Sequence, residues 1–534
     1  MQYLIHHMLS QSAAKHPHSE ALVAKNNRLS YQEMAVQVAS VAGSLRELGI
    51  NRGDRIAIFL PPDVTLPLAI FATAQASAVF VPIHHGMFPD QVSHILNDCG
   101  AVALITDAVR FERIQNILPD ISTLKFTIVD SQDNASDSLE TYSWKSLCNH
   151  QPSPIDQCIE KDLAAILYTS GSTGRPKGVM LSHANVLAGA EIVSDYLHLS
   201  SADRLLAALP LSFDAGLNQL TTAVLQGATT VMLSFHFGRE IVTQLVEEKI
   251  TGLAGVPSLW SLLAQPSTGL AKQSLPHLRY ITNTGGAMPQ TVLRQLQEQL
   301  PSTDIVLMYG LTEAFRSTYL PADELEARPT SMGKPIPNTE ILVINESGKR
   351  CAPNEIGELV HHGPTVSLGY WGHPDLTANV LRPHPDPPPS HPNHILVCYS
   401  GDLVRQDEEG FLYFIGRRDN QIKSAGFRIS PTEVEDVLCE VASLRQAAVV
   451  GVPDPILGQH LIAFAIPEEN AGDLNAIEVL ADCTAKMPRH MVPKQIHFVD
   501  ELPMTSSGKV NYPALREQLS SNEPHSPTPR RQAP

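Results

Sequence analysis

Eleven consecutive residues, Tyr168-Thr169-Ser170-Gly171-Ser172-Thr173-Gly174-Arg175-Pro176-Lys177-Gly178, place hydroxyls, glycines and a lysine in one short stretch. Glycine lets a backbone close around a ligand and turn its N–H groups inward. The serine and threonine hydroxyls add donors, and Lys177 adds a mobile positive charge. Such a loop suits a polyphosphate. The spacing is not that of a P-loop, which needs four residues between its first glycine and Gly-Lys-Ser/Thr. The alternative is a flexible Gly/Ser connector, but a connector has no need of threonine, proline and lysine together. The apolar run Leu163 to Leu167 reads as a buried strand, so the loop leaves a sheet edge.

Further chemistry-bearing stretches follow. They are Tyr309-Gly310-Leu311-Thr312-Glu313, Gly357-Glu358-Leu359, Tyr399-Ser400-Gly401-Asp402, Gly416-Arg417-Arg418-Asp419 and Ser507-Gly508-Lys509. Each has a bland reading alone: a Tyr-Gly pair is often a turn, and Ser-Ser-Gly-Lys can be a hairpin tip.

The elements that must position these residues alternate between short apolar runs and helical spacing. Arg55 to Leu60, Val79 to Ile83 and Val102 to Thr106 read as strands, and Tyr31 to Leu48 as a helix. Alternation of this kind implies α/β layers with largely parallel sheets. A boundary falls near residue 419, after a strand Phe411 to Ile415. Beyond it, Ser430-Pro431-Thr432-Glu433 reads as an N-cap, a proline at the first helical position and a capping-box glutamate. Val434, Val437, Leu438 and Val441 form one helical face. Strands Ala447 to Val452, Leu461 to Ile466 and Gln495 to Val499, with a helix Asn475 to Met487, complete a compact α+β unit. The expected domains are 1–418, 419–515 and a disordered tail over 516–534. Pro383 to Pro392 is expected to be an exposed loop.

Composition excludes several classes. At 534 residues the chain needs at least two domains. A net charge of −17 argues against a nucleic-acid partner. The seven cysteines are scattered, with no C-x-x-C pair and no histidine cluster at zinc spacing, so neither a disulfide framework nor a structural zinc site is expected. Residues 1–7 lack the pattern of a signal peptide, and no apolar run reaches membrane-spanning length. A soluble cytoplasmic protein without membrane insertion is the expectation.

In their order, these motifs resemble those of the adenylate-forming superfamily: acyl-CoA synthetases, adenylation domains of non-ribosomal peptide synthetases, and luciferases. The resemblance runs from about Leu29-Ser30-Tyr31 to Lys509. More narrowly, Phe213 to Leu220 and Met308 to Leu320 resemble the AMP-forming ligases associated with exosortase A systems. The resemblance implies a large layered α/β N-terminal domain and a small mobile α+β C-terminal domain. It implies that a carboxylate attacks the α-phosphate of ATP and that a thiol, of CoA or of phosphopantetheine, then takes the acyl group. Thr169, Ser170, Gly171, Ser172, Thr173, Gly174 and Lys177 would hold the β- and γ-phosphates. Thr312 would contact the α-phosphate, Glu313 would bind Mg²⁺, and Tyr309 would pack on the adenine. Asp402 and Arg417 would bind the ribose. Lys509 would bridge the substrate carboxylate and the α-phosphate. Asp419 would be the hinge, and Gly426 would border the thiol tunnel.

The acyl substrate is read from Asp214, Ala215, Asn218, Ala254, Thr282, Thr284, Met308, Arg316 and Ser317, which match pocket-lining positions. In amino-acid-activating members an Asp placed like Asp214 pairs with the substrate's α-amino group. The competing reading makes Asp214 the N-cap of a helix Ala215 to Leu225. The polar set, with Arg316, suits a small amino acid or amine-bearing acid better than a fatty chain. Two departures weaken assignment to the peptide-synthetase branch. Val81-Pro82-Ile83-His84 stands where Val-Pro-Ile-Asp is usual, and Ser77 stands where a glycine is usual. The 25 residues after Lys509 are too few for a carrier domain, so the product is expected to pass to CoA or to a separate carrier protein. A luciferase-type oxygenase would need a bulky aromatic pocket, and a non-catalytic nucleotide sensor would be expected to lack Lys509 or Glu313.

Overall fold

The computed structural model describes residues 3–130, 139–149, 158–170, 176–389, 395–418, 422–424, 427–454, 457–468, 471, 474–505 and 508–521. The chain divides into two compact units, Met1–Phe414 and Ile415–Pro534. The division falls just before the boundary expected at 418. Of the expected site residues, Gly171, Ser172, Thr173, Gly174, Asp419 and Gly426 lie outside the described set.

Two large sheets carry the first unit. One has seven strands, in the order Glu140–Ser143, Phe126–Asp130, Ala103–Asp107, Arg55–Phe59, Val79–Pro82, Leu163–Ser170 and Pro176–Ser182. All its pairs are parallel except the last, an antiparallel hairpin. The other has nine strands, with parallel pairing from Asp304–Leu311 through Tyr280–Asn283, Gly252–Gly255, Arg204–Ala207 and Thr229–Met232 to Glu20–Ala24. Antiparallel strands close both of its ends. Parallel strands covered on both faces read as continuous apolar runs, which is why those stretches were legible.

Between the large sheets lies the main core, where Ile5, Tyr31, Phe71, Phe80, Leu217 and Phe315 meet. The helix Tyr31–Glu47 shows how local and tertiary signals agree. The Ser30 hydroxyl accepts the Glu33 N–H, and the Glu33 carboxylate accepts the Ser30 N–H, a complete capping box. Tyr31 then buries its ring and donates its hydroxyl to the Ala228 carbonyl at 2.6 Å. Ser77 has a φ of 65°, a left-handed turn between the helix Thr65–Gln75 and the strand Val79–Pro82. The preference for glycine at that position follows from this turn.

A third sheet joins Glu340–Ile344, Ile356–His362, Leu396–Gln406 and Leu381–Pro383 in antiparallel pairs. The second unit has its own sheet, Phe427–Ile429, Ile422–Ser424, Gly458–Pro467 and Leu444–Asp454, with Gln495–Phe498 beside Gly458–Pro467. Its core gathers Val434, Leu438, Val449, Ala463 and Cys483. Two expectations are corrected here. The helix Pro431–Val441 begins after Ser430 without a side-chain cap, and the Ser430 hydroxyl donates to the Ile415 carbonyl instead. The last helix runs Tyr512–Ser521, so residues 516–521 are helical rather than tail, and Leu515 and Leu519 pack into an apolar cluster. Within Pro383 to Pro392, His384 is buried rather than exposed, and residues 390–394 lie outside the described set. Among the described residues no helix is long and apolar enough to cross a membrane.

Candidate active site

The first motif is a hairpin. The strand Leu163–Ser170 runs three residues beyond the apolar stretch, and its register sets Thr169 opposite Lys177 and Ser170 opposite Pro176. Both Thr169 and Lys177 are half-buried at the hairpin's tip. Gly178 is there for space: a Cβ would lie 2.5 Å from Ile166 Cγ2 and 3.1 Å from the Tyr168 ring. The Tyr168 hydroxyl donates to Asp98 at 2.5 Å, anchoring the base of the hairpin.

The outer edge of Pro176–Ser182 is covered by the segment Leu368–Trp371. Met180 N–H donates to Gly369, Leu368 N–H to Met180, and Trp371 N–H to Gly178, at 2.8–2.9 Å. The same segment holds the turn between Asp304–Leu311 and Ala314–Leu320, where Thr312 and Glu313 sit half-buried. Ser367 N–H donates to the Glu313 carbonyl at 2.9 Å, and the Tyr370 hydroxyl donates to the Glu313 carboxylate. Tyr370 thus ties the expected metal-binding carboxylate to the strand that carries Lys177. A carboxylate oriented by a hydroxyl donor fits a hard cation such as Mg²⁺. Tyr370 was missed in the sequence because no spacing links it to Glu313.

Two of the expected nucleoside residues, Tyr309 and Asp402, also meet. The Tyr309 hydroxyl donates to Asp402 Oδ2 at 2.5 Å. Asp402 is aimed by a bulge, since the register shifts between Glu358 and Val360 against Leu396–Gln406. Gly401, at a φ of 73°, makes the turn, and its N–H donates to Glu358 at 3.0 Å. The Gly357-Glu358-Leu359 and Tyr399-Ser400-Gly401-Asp402 motifs are two sides of this one device.

The expected acyl-side residues cluster at the C-terminal ends of the parallel strands, where open α/β sheets bind ligands. Ala254 pairs in register with Thr282 on the adjacent strand, and the Thr284 N–H donates to the Gly255 carbonyl. Met308, Arg316 and Ser317 are buried on the next two strands. The helix Asp214–Gln226 has Phe213 as its N-cap, with no side-chain cap bond, so the capping reading of Asp214 is corrected. Asp214 is the first helical residue instead, and its carboxylate lies 3.6 Å from Arg316 Nη1. Their side chains are 18% and 4% exposed, so this is a largely buried ion pair. Asn218, one helical turn on, faces the same way as Asp214. Its Nδ2 and the Nε of Arg316 find no hydrogen-bond partner among the described residues. Thr284 Oγ1 accepts a long hydrogen bond from Arg316 Nη1 at 3.5 Å. Ala215 lies beside Asp214, largely enclosed.

Ser317 faces away from this use. It is fully buried, and its hydroxyl bonds to His361 Nδ1 at 2.9 Å, whose other nitrogen meets Thr365 Oγ1 at 3.1 Å. Burial pushes His361 down to about 3, so this ring is neutral. His84, at the departure noted above, is likewise pushed down to about 4, by burial first and then by His85 and Arg110. Its ring lies 6.0 Å from that of Phe213.

In the second unit, Lys509 is exposed on a tight turn. Thr505 N–H donates to the Lys509 carbonyl at 2.7 Å, and the Lys509 N–H to Thr505 Oγ1 at 3.1 Å. Arg417 is exposed at the end of the strand Leu412–Arg417.

Comparison with known proteins agrees with this architecture. Residues 9–371 match the family described as AMP-binding enzyme, and residues 433–509 match the AMP-binding enzyme C-terminal domain. A feruloyl-CoA synthase of Amycolatopsis sp is 31% identical over 92% of this chain and 94% of its own length. A delta-poly-L-ornithine synthetase of Acinetobacter baumannii is 31% identical over 97% of this chain but 38% of its own length. Among solved structures, ATP-bound MatB from Rhodopseudomonas palustris has a TM-score of 0.84 at 25% identity, covering 96% of this chain and 98% of that one. The anthranilate CoA ligase AuaEII in complex with anthranoyl-AMP has a TM-score of 0.86 at 24% identity over 97% and 98%, a likeness of fold. The chain belongs to the adenylate-forming family of AMP-binding enzymes and is an AMP-forming acid–thiol ligase.

Proposed function

We propose that this ligase activates a small amino acid, or another acid bearing an amine, and passes it to a thiol. The observation that carries the proposal is the largely buried Asp214–Arg316 pair, loosely made at 3.6 Å, with Arg316 Nε and Asn218 Nδ2 unmet beside it. Buried polar groups are normally satisfied. A ligand that brings an ammonium to Asp214 and an acceptor to Arg316 would complete the set, and a fatty chain would leave it incomplete.

The chemistry follows from the residues. An oxygen of the substrate carboxylate attacks the α-phosphorus, the bond to the β-phosphate breaks, and pyrophosphate leaves. Thr169 to Gly174 and Lys177 would hold the departing phosphates, Thr312 the α-phosphate, and Tyr309, Asp402 and Arg417 the nucleoside. Lys509 would neutralise the two anions that must approach each other. Mg²⁺ held by Glu313 would supply charge neutralisation at the phosphates. The thiolate of CoA, or of the phosphopantetheine on a separate carrier protein, then attacks the acyl carbon. The bond to the AMP oxygen breaks and AMP leaves, with Asp419 as the hinge between the two steps and Gly426 beside the incoming thiol.

A second reading is an acyl-CoA synthetase for a non-amino acid. The feruloyl-CoA synthase and a long-chain-fatty-acid--CoA ligase of Salmonella typhimurium, 27% identical over 96% of this chain, favour it. Substrate-dependent exchange of labelled pyrophosphate into ATP, over a panel of amino acids, aryl acids and fatty acids, separates the two. Exchange driven best by acids without an amine would refute the amino-acid reading.

A further inference from the structure

We propose that Glu340, His362 and His384, none of them assigned to ATP or the acyl substrate, form a binding site for one divalent transition-metal ion of the zinc class. Three separate segments supply it: the first residue of the strand Glu340–Ile344, the last residue of Ile356–His362, and the residue after Leu381–Pro383. Glu340 and His362 are direct register partners across the antiparallel pair. His362 Nδ1 and His384 Nε2 each lie 3.3 Å from the same oxygen, Glu340 Oε2. All three donor atoms lie within 4.8 Å of one another.

The separation of 3.3 Å is that of a long hydrogen bond from each imidazole to Glu340, the usual range being about 2.7–3.2 Å. It matches the edge of a tetrahedron whose centre lies about 2.0–2.1 Å from each donor, the distance zinc takes from nitrogen and oxygen. The edge between the two imidazoles is the one that must close on binding. Two imidazoles and a carboxylate are the donors of an open zinc site, with a fourth position left for water. The surroundings suit it. Arg350 Nη2 holds the other carboxylate oxygen, Glu340 Oε1, at 2.9 Å, and Arg350 Nε meets Asp386 at 3.1 Å. Arg350 therefore orients the carboxylate while Asp386 answers its charge, and the cluster keeps a net negative charge toward a cation. His384 has a side chain only 1% exposed, whereas Glu340 and His362 are 36% and 29% exposed and give a path inward.

One contact opposes binding. The Asp386 N–H donates to His384 Nδ1 at 3.1 Å, which places that ring's proton on Nε2, toward Glu340. A metal must displace this proton and shift it to Nδ1, giving up that hydrogen bond and the two long bonds from the imidazoles to Glu340 in exchange for three coordination bonds.

The test uses the full chain, stripped with chelator and titrated with zinc sulfate without ATP. Because the chain has 22 histidines, the readout is the difference between wild type and variants. Wild type should bind one tight equivalent. His362→Ala and Glu340→Gln, both at partly exposed positions, should each weaken that equivalent about a hundredfold or more. Cobalt in place of zinc should give visible d–d bands without a thiolate charge-transfer band. Pyrophosphate exchange with Mg²⁺ restored should be the same in His362→Ala as in wild type. Zinc binding that is absent in wild type, or equal in wild type and both variants, would overturn the site.

Discussion

Changing Asp214 to asparagine should remove selection for the substrate's amine while keeping the shape of the pocket. The geometry sets the size of the effect. Unit charges 3.6 Å apart, as in the Asp214–Arg316 pair, attract by about 4–5 kcal/mol at an effective dielectric near 20. Desolvation offsets much of that attraction. A substrate ammonium at similar range gains the same gross attraction, opposed in part by the Arg316 charge behind the carboxylate. A net contribution of about 1.5–3 kcal/mol remains, on the order of a ten- to hundredfold effect on kcat/KM. Asparagine loses the charge and can turn an amide donor toward the ammonium. Exchange driven by the amino acid should therefore fall ten- to a hundredfold, while exchange with its deaminated analogue stays level or rises. Arg316→Met, and its combination with Asp214→Asn, complete a double-mutant cycle. The singles should not add, because each removes the other's counter-charge, and near-ultraviolet circular dichroism checks that each variant is folded. A wild-type preference for plain fatty acids that is unchanged in Asp214→Asn would refute the reasoning.

Lys509→Ala should lower adenylate formation about a hundredfold or more while leaving thioester formation from a pre-made acyl-adenylate nearly intact. Equal loss in both half-reactions would count against its placement between the two anions. Tyr370→Phe should leave the fold unchanged and raise the Mg²⁺ concentration needed for half-maximal pyrophosphate exchange, since Glu313 loses its hydroxyl donor. An unchanged Mg²⁺ dependence would mean that Tyr370 serves packing alone. Glu435→Gln should flatten the pH dependence of unfolding in the second unit. Burial pushes Glu435 up to about 8 from 4.5, against bonds from Val449 N–H and the Tyr512 hydroxyl. A raised carboxyl favours the fold fully below about 4.5, and that contribution is lost as pH rises through about 8. Urea unfolding at pH 6 and pH 8.5 should show wild type losing stability that the variant does not lose, and parallel losses would sink the assignment.

What could be read from the sequence was chemistry contiguous in the chain. The expectation of phosphate binding rests on one stretch, residues 168–178, and the parallel sheet on the apolar runs around Ile56, Phe80 and Leu104. Local rules failed where the side chain turned to a partner outside its own helix. Ser430 has the sequence of a capping box, yet its hydroxyl goes to the Ile415 carbonyl. The competing reading of Asp214 as a cap fails because the helix starts one residue earlier and the carboxylate turns to Arg316. Groups assembled by strand register could not be read, and the third sheet shows why. Glu340 meets His362 because the pairing of Glu340–Ile344 with Ile356–His362 sets Ile341 against His361 and Leu342 against Val360. A slip of one residue would exchange the two histidines between faces. His361 would leave the buried pocket where Ser317 and Thr365 hold it, and His362 would leave Glu340. The apolar alternation of Leu342, Ile344 and Val360, packed into one cluster, fixes the register against that slip. The polar site is thus a consequence of apolar packing on strands whose sequence shows no pattern of metal ligands.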